Sequence, residues 1–215
     1  MSIGLRQAYD EAIDDLQKRL DGTVKPVSTG FRSLDESWLS GIEPGWIVTI
    51  GGSSGTGKTA FLAQMLFQIM NARPKQLAIK FFTYEMTAKR IVHRAIANAK
   101  EYELKQMLSV GSDRLTQSQI DELRRRPLFD LDHYIMFEER PNTVKAMEES
   151  IKKYRVQLRG KIEPDQPICI AIDHLLLSEK DVWEGKDEKL LENTMAMENR
   201  LKKFDPNLFF INLSQ

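Results

Sequence analysis

The sequence predicts a doubly wound α/β domain with a mainly parallel sheet, helices on both faces and an amphipathic helix in front. Three observations predict it. From Trp46 onward, short apolar segments alternate with segments of helical periodicity. Several of the short segments are continuous apolar runs, as expected of strands covered on both faces. And the string Gly52-Ser53-Ser54-Gly55-Thr56-Gly57-Lys58-Thr59 stands at the joint between the first such strand and the helix after it.

Residues 5–20 predict the leading helix, because Leu5, Ala8, Tyr9, Ala12, Ile13, Leu16 and Leu20 recur at steps of three and four. Asp10, Glu11, Asp14, Asp15, Lys18 and Arg19 occupy its other face, and Asp21-Gly22 stops it. So short a helix is marginal alone in water, and its apolar stripe needs a surface, on this chain's core or on a neighbouring subunit. This divides the chain into residues 1–24, the helix and its exit, and residues 25–215, the α/β domain. Strands are predicted at Trp46–Ile50, Leu77–Phe82, Tyr134–Phe137, Ile168–Ile172 and Leu208–Leu213. Helices are predicted at 59–71, 88–100, 116–126, 143–158 and 187–204. Thr116 and Gln119 supply a capping box for the third, and Leu190, Thr194, Met197, Leu201 and Phe204 form the seam of the last. Met147 and Met195 also read as core.

Composition excludes several classes of function. The 31 Lys+Arg balance the 31 Asp+Glu, and 41% of the 215 residues are apolar, which fits a packed domain rather than a disordered tail. The single cysteine, Cys169, excludes a disulfide framework and fits a reducing compartment. No apolar run reaches the ~18 residues of a membrane span. With no net charge, binding of nucleic acid has to rest on local features. Arg124-Arg125-Arg126 ends a predicted helix and reads as a solvated face, and His93, His133 and His174 lack metal-ligand spacing.

The chemistry concentrates in three places. In the glycine-rich string, glycines let main-chain amides close around phosphate oxygens, while the following helix aims the positive end of its dipole at them. Lys58 is suited to the β- and γ-phosphates of a nucleotide, and the Thr59 hydroxyl to Mg²⁺. Ile168–Ile172 ends in Asp173, which beside a phosphate loop suits a Mg²⁺ carboxylate and otherwise a turn or cap. Glu85, just past Leu77–Phe82, reads either as the group that polarises an attacking water or as an acid favoured by a helix N-terminus.

Taken in order, these segments resemble a known family. Ser28-Thr29-Gly30-Phe31 through Leu34-Asp35, Gly41-Ile42-Glu43-Pro44-Gly45, the phosphate loop, Thr83-Tyr84-Glu85-Met86-Thr87, Asp173-His174-Leu175 and Asn212-Leu213-Ser214-Gln215 are similar to the RecA-like ATPase domain of DnaB-type replicative helicases. The resemblance runs from about residue 5 to the end. It implies ATP and Mg²⁺ as cofactors, Glu85 as catalytic base, Asp173 as the Mg²⁺ residue and Gln215 as a γ-phosphate sensor coupling hydrolysis to DNA. It further implies that residues 5–20 are a linker helix docking on the adjacent protomer of a hexameric ring. Single-stranded DNA in the channel, primase or a helicase loader as partners, and a cytoplasmic setting in bacteria or phage-infected cells follow from it. His174 and Leu176 stand where the family usually carries Tyr and Gln, and Ser54-Gly55-Thr56 is closer to KaiC-like loops. By the resemblance, the family's main DNA-binding loop, arginine finger and trans-acting lysine lie past Gln215. An arginine finger is worth ~10³–10⁵ in turnover, so slow hydrolysis is expected of this stretch by itself. Two other readings are a KaiC- or RadA-like ATPase in signalling or repair, and a nucleotide-gated assembly module without useful catalysis.

Overall fold

The computed structural model describes residues 3–38, 40–72, 77–128, 134–173 and 187–214, without the side chains of Asn71 and Ala72. Gln215, His133, His174, Leu175 and Leu176 lie outside them. Eight helices and five strands are described: α1 (Leu5–Leu20), α2 (Arg32–Ser37), β1 (Ile47–Gly51), α3 (Lys58–Ala72), β2 (Ala78–Thr83), α4 (Ala88–Lys100), α5 (Leu104–Leu108), α6 (Gln117–Arg125), β3 (Ile135–Glu138), α7 (Val144–Gln157), β4 (Ile168–Asp173), α8 (Asp187–Phe204) and β5 (Leu208–Ser214). The strands fall within a residue of their predicted bounds. The short helices α2 and α5 carry too few turns for a periodic signal.

The sheet is wholly parallel, in the order β1-β5-β4-β2-β3. Its side chains alternate between two cores. Ile79 and Phe81 of β2, Cys169 and Ala171 of β4, and Phe209, Ile211 and Leu213 of β5 pack under α3 and α4. Ala78 and Phe82, Ile168, Ile170 and Ile172, and Leu208 and Phe210 pack under α7 and α8. All residues of β2 and β4 are buried, which is why these strands read as continuous rather than alternating runs. The crossovers from β1 to β2 and from β2 to β3 step one way along the sheet, and those from β3 to β4 and from β4 to β5 step back. Neighbouring β2 and β4 therefore lead to helices on opposite faces, and the carboxyl ends of such strands are where open α/β sheets build their sites.

The capping box on α6 forms as predicted, with Thr116 and Gln119 each bonding the other's backbone amide. Arg124, Arg125 and Arg126 are exposed, and Cys169 is fully buried. Two core expectations fail. Met195 is 56% and Phe204 85% exposed, because the buried stripe of α8 runs through Leu190, Thr194, Met197, Glu198 and Leu201 and leaves both on its flanks.

None of α1 is buried; Leu5, Tyr9, Ile13, Leu16 and Leu20 all face outward. The stripe does not dock on this chain's own core. The end of the helix is tied down: Arg19 donates to both carboxylate oxygens of buried Glu43, at 2.7 and 3.0 Å, and to Asp15 at 2.8 Å. Among the described residues, no helix is long and apolar enough to cross a membrane.

Candidate functional site

The site is built where β1 ends. Gly55 and Gly57 adopt φ of +78° and +91°, a region in which a side chain would be strained, so glycine is required at both. Thr56 Oγ1 donates to Ser53 O at 2.9 Å and closes the turn between them. The loop is fixed at its base because Gly52 N donates to Ser214 O at 3.3 Å, continuing the β1–β5 pairing in which Gly51 lies opposite Ser214. Phe61 N is the first amide to reach back along the helix, to Gly57 O at 2.9 Å. The amides of Lys58, Thr59 and Ala60 thus open the helix without a preceding turn to accept them, a ready anion site. Lys58 folds over the loop, its Nζ 2.5 Å from Gly52 O and 2.9 Å from Ser53 O. An ammonium held, among the described residues, by neutral carbonyls is placed to exchange them for phosphate oxygens.

Parallel pairing brings the second component to the same edge. Asp173, the last residue of β4, is 1% exposed, and its Oδ1 accepts from Thr59 Oγ1 at 3.1 Å. A hydroxyl and a carboxylate converging beside a phosphate loop are hard oxygen donors, and they fit a Mg²⁺ that takes its other ligands from phosphate and water. Among the described residues, no group of three or more His, Cys, Asp and Glu forms an all-protein metal cage. The donor set therefore suits a cation that arrives with an anionic ligand.

Glu85 lies on the same edge. Thr83 is paired with Asp173 in register, and Glu85 follows two residues later in an exposed bend that the Thr83 hydroxyl closes by donating to Met86 O. Helix α4 begins only afterwards, capped by Thr87, whose hydroxyl accepts from Arg90 N. The acid on that helix end is Glu139, which takes the Ala88 amide at 2.8 Å. The Ala88 amide at this helix end is thus bonded by Glu139. Glu139 carried no signal in the sequence. Its place follows from β3 pairing next to β2, which delivers the end of one strand beside the cap of the other's helix.

Behind the loop, Asp35 ties a knot of three bonds, from Ser28 Oγ at 2.6 Å, Thr29 N at 2.8 Å and Thr29 Oγ1 at 2.7 Å. Burial works against its charge, but these donors prevail and hold the carboxyl below its ordinary range. The knot presents Phe31 to Phe61 of α3, stacked at 5.0 Å, and brings Gly30 so close to the Gln68 side chain that a Cβ would meet it at 2.7 Å. The segment 28–35 is thus a buttress for the first turns of the phosphate-loop helix.

Of the residues singled out in the sequence, the phosphate loop, Thr59 and Asp173 are in mutual contact. Glu85 shares their edge of the sheet, and Gln215 lies outside the described residues.

Comparison with known proteins agrees with this arrangement. The sequence model of the DnaB-like helicase C-terminal domain matches residues 26–215. A replicative DNA helicase DnaB of Helicobacter pylori is 24% identical over 94% of this chain, which spans 40% of that relative's length. A DnaB-like replicative helicase, solved in a study of its interactions with primase, superposes with a TM-score of 0.75 at 17% identity, over 100% of this chain and 49% of its own. A further solved ATPase domain superposes with a TM-score of 0.71 at 18% identity, over 96% of this chain and 70% of its own. These two likenesses establish a common fold.

Proposed function

The chain belongs to the DnaB-like helicase C-terminal domain family, and from that premise we propose that it is the ATP-hydrolysing motor domain of a hexameric replicative helicase. The motor unwinds duplex DNA by moving along single-stranded DNA. The observation that carries the reading is the convergence of Lys58, Thr59 and Asp173 on one loop at the strand ends.

In this reading the amides of residues 53–59 wrap the phosphates, and Lys58 leaves Gly52 O and Ser53 O for the β- and γ-oxygens. Thr59 and Asp173 hold Mg²⁺, which when bound offsets charge on the phosphates. Glu85 accepts the proton of the water whose oxygen attacks the γ-phosphorus, as the bond to the β–γ bridging oxygen breaks. Gln215 senses the γ-phosphate. Gln215 follows Ser214 in sequence, and the loop rests on that neighbour, since Gly52 N donates to Ser214 O.

Residues 1–24 serve as a linker that docks on the next protomer. Its support is an apolar stripe left exposed among the described residues, held at one end by Arg19 and Glu43. A groove of about 930 Å³ between α3, α4 and α5 is the counterpart, floored by Ala63, Phe67, Ala95 and Leu104 and rimmed by Arg94. Primase or a loader, and a cytoplasmic setting in bacteria or phage-infected cells, complete the proposal.

The test is hydrolysis by the full-length protein with and without single-stranded DNA. Mg²⁺-dependent turnover that rises on adding single strands, together with strand separation, is the expected result. Nucleotide binding without turnover under both conditions overturns the motor in favour of an assembly module.

A further inference from the structure

Glu198 is a carboxyl with 0% exposure, in the stripe of α8 that packs on the sheet. It faces Asn212 of β5, itself 2% exposed, and Asn212 Nδ2 donates to Glu198 Oε1 at 2.8 Å. The remaining oxygens of the two groups, Glu198 Oε2 and Asn212 Oδ1, have no hydrogen-bond partner among the described residues. Both are acceptors while the carboxyl is ionised, so nothing within the pair satisfies either. A single proton on Oε2 changes this, because it supplies the one donor the pair lacks and Oδ1 is the acceptor left over.

We propose that Glu198 carries a proton in the folded protein and closes a cyclic acid–amide pair with Asn212, fastening α8 to the strand on which the phosphate loop is anchored. The position gives the pair its consequence. Asn212 lies opposite Thr49 of β1 and Ile172 of β4, one residue before Asp173, and two residues before the Ser214 carbonyl that holds Gly52. The fastening is therefore applied to the strand between the loop and the metal carboxylate.

The surroundings favour the neutral form. The strands contribute Ile170, Ile172 and Phe210 to this core. From α7, Glu148 is occupied by Lys152 and Arg200, and the Tyr154 hydroxyl by Tyr134 O. On α8 itself, Lys202 favours ionisation. Burial outweighs both Lys202 and the Asn212 amide and pushes the carboxyl up to about 7. With the folded value above the ordinary 4.5, the contribution to stability is complete below about 4.5 and is lost as pH rises through about 7.

The experiment follows unfolding of the intact chain by urea between pH 5 and pH 8, for wild type and Glu198→Gln. The glutamine keeps shape and donor but cannot titrate. The folding equilibrium of wild type is expected to fall by at least ~10-fold relative to Glu198→Gln over that range. Carboxyl carbon NMR on the wild type reads the same event directly, as one glutamate titrating near neutrality that Asn212→Ala displaces, and it decides even if Glu198→Gln does not fold. Parallel unfolding profiles, or glutamates that all titrate in the ordinary carboxylate range, overturn the proposal.

Discussion

Thr59 Oγ1 and Asp173 Oδ1 meet at 3.1 Å although 114 residues separate them. One heads a helix on one face of the sheet; the other ends a strand two places along it from β1. Parallel pairing places both on one edge. In the proposed reading these two oxygens would hold a divalent cation, which would offset charge on the phosphates. Asp173→Asn is expected to lower Mg²⁺-dependent hydrolysis by ~10²–10³-fold, while nucleotide binding measured in chelator stays close to wild type. A parallel loss of binding in chelator would show the aspartate to be a structural partner of the loop.

As the proposed base, Glu85 would act in catalysis and not in nucleotide binding. It is exposed, outside the capped turn of α4, and Glu139 already serves that helix end. Glu85→Gln is therefore expected to leave the melting temperature and nucleotide affinity unchanged and to reduce turnover by ~10²–10⁴-fold. Glu139→Gln, which weakens only the bond to the Ala88 amide, is expected to leave turnover within a few-fold. Equal losses in the two variants would return Glu85 to a purely local role.

Most of the fold was legible because local and global signals agree. Apolar runs such as Ile168–Ile172 are buried on both faces, and the phosphate-loop string needs its glycines where φ turns positive. The pairing of Thr59 with Asp173 was legible from the chemistry of the two residue types beside such a loop. What escaped depends on register and packing. Glu139 reaches Ala88 only because β3 lies beside β2, and Phe31 is a prop for α3 only once it stacks on Phe61. Phe204 and Met195 fit a helical period, but the centre of the buried stripe is fixed by the neighbours of α8.

Asp35 gives the buttress an acid limit. Its carboxyl is held below the ordinary 3.8, so its contribution is present above that value and is lost as pH falls through the lowered folded value. Asp35→Ala is expected to cost about 2 kcal/mol at pH 7, since three donors lose a charged acceptor. Chemical denaturation at pH 7 and below pH 3 checks this; the gap between wild type and variant should close at the acid end.

The leading helix predicts assembly without stability. No residue of α1 is buried, so Ile13→Asp and Leu16→Asp should change unfolding free energy by no more than ~0.5 kcal/mol. The same substitutions place charge in the centre of the stripe, and sedimentation of the full-length protein is expected to show loss of the proposed ring. A ring that survives both would mean that α1 docks nowhere on a neighbour.

Lys80 sets a final, asymmetric expectation. It stands among Ala78, Ile79, Phe81 and Phe82 in a buried strand, with 4% of its side chain exposed. Its ammonium lies 2.9 Å from Glu138 Oε2 and 5.3 Å from the centre of the Phe82 ring. Glu138 is better served, for its side chain is 30% exposed and Ser150 Oγ also donates to it at 3.0 Å. Removing one member of a buried pair costs according to what is left behind. Glu138→Ala removes the anion paired with a buried ammonium, and is expected to destabilise by ~3–5 kcal/mol. Lys80→Met keeps the volume, removes the buried charge and leaves Glu138 on Ser150 and solvent; a cost below ~1.5 kcal/mol is expected. Urea unfolding of the two variants decides between them. Equal costs would mean that the pair contributes through its Coulomb attraction rather than through the desolvation that it offsets.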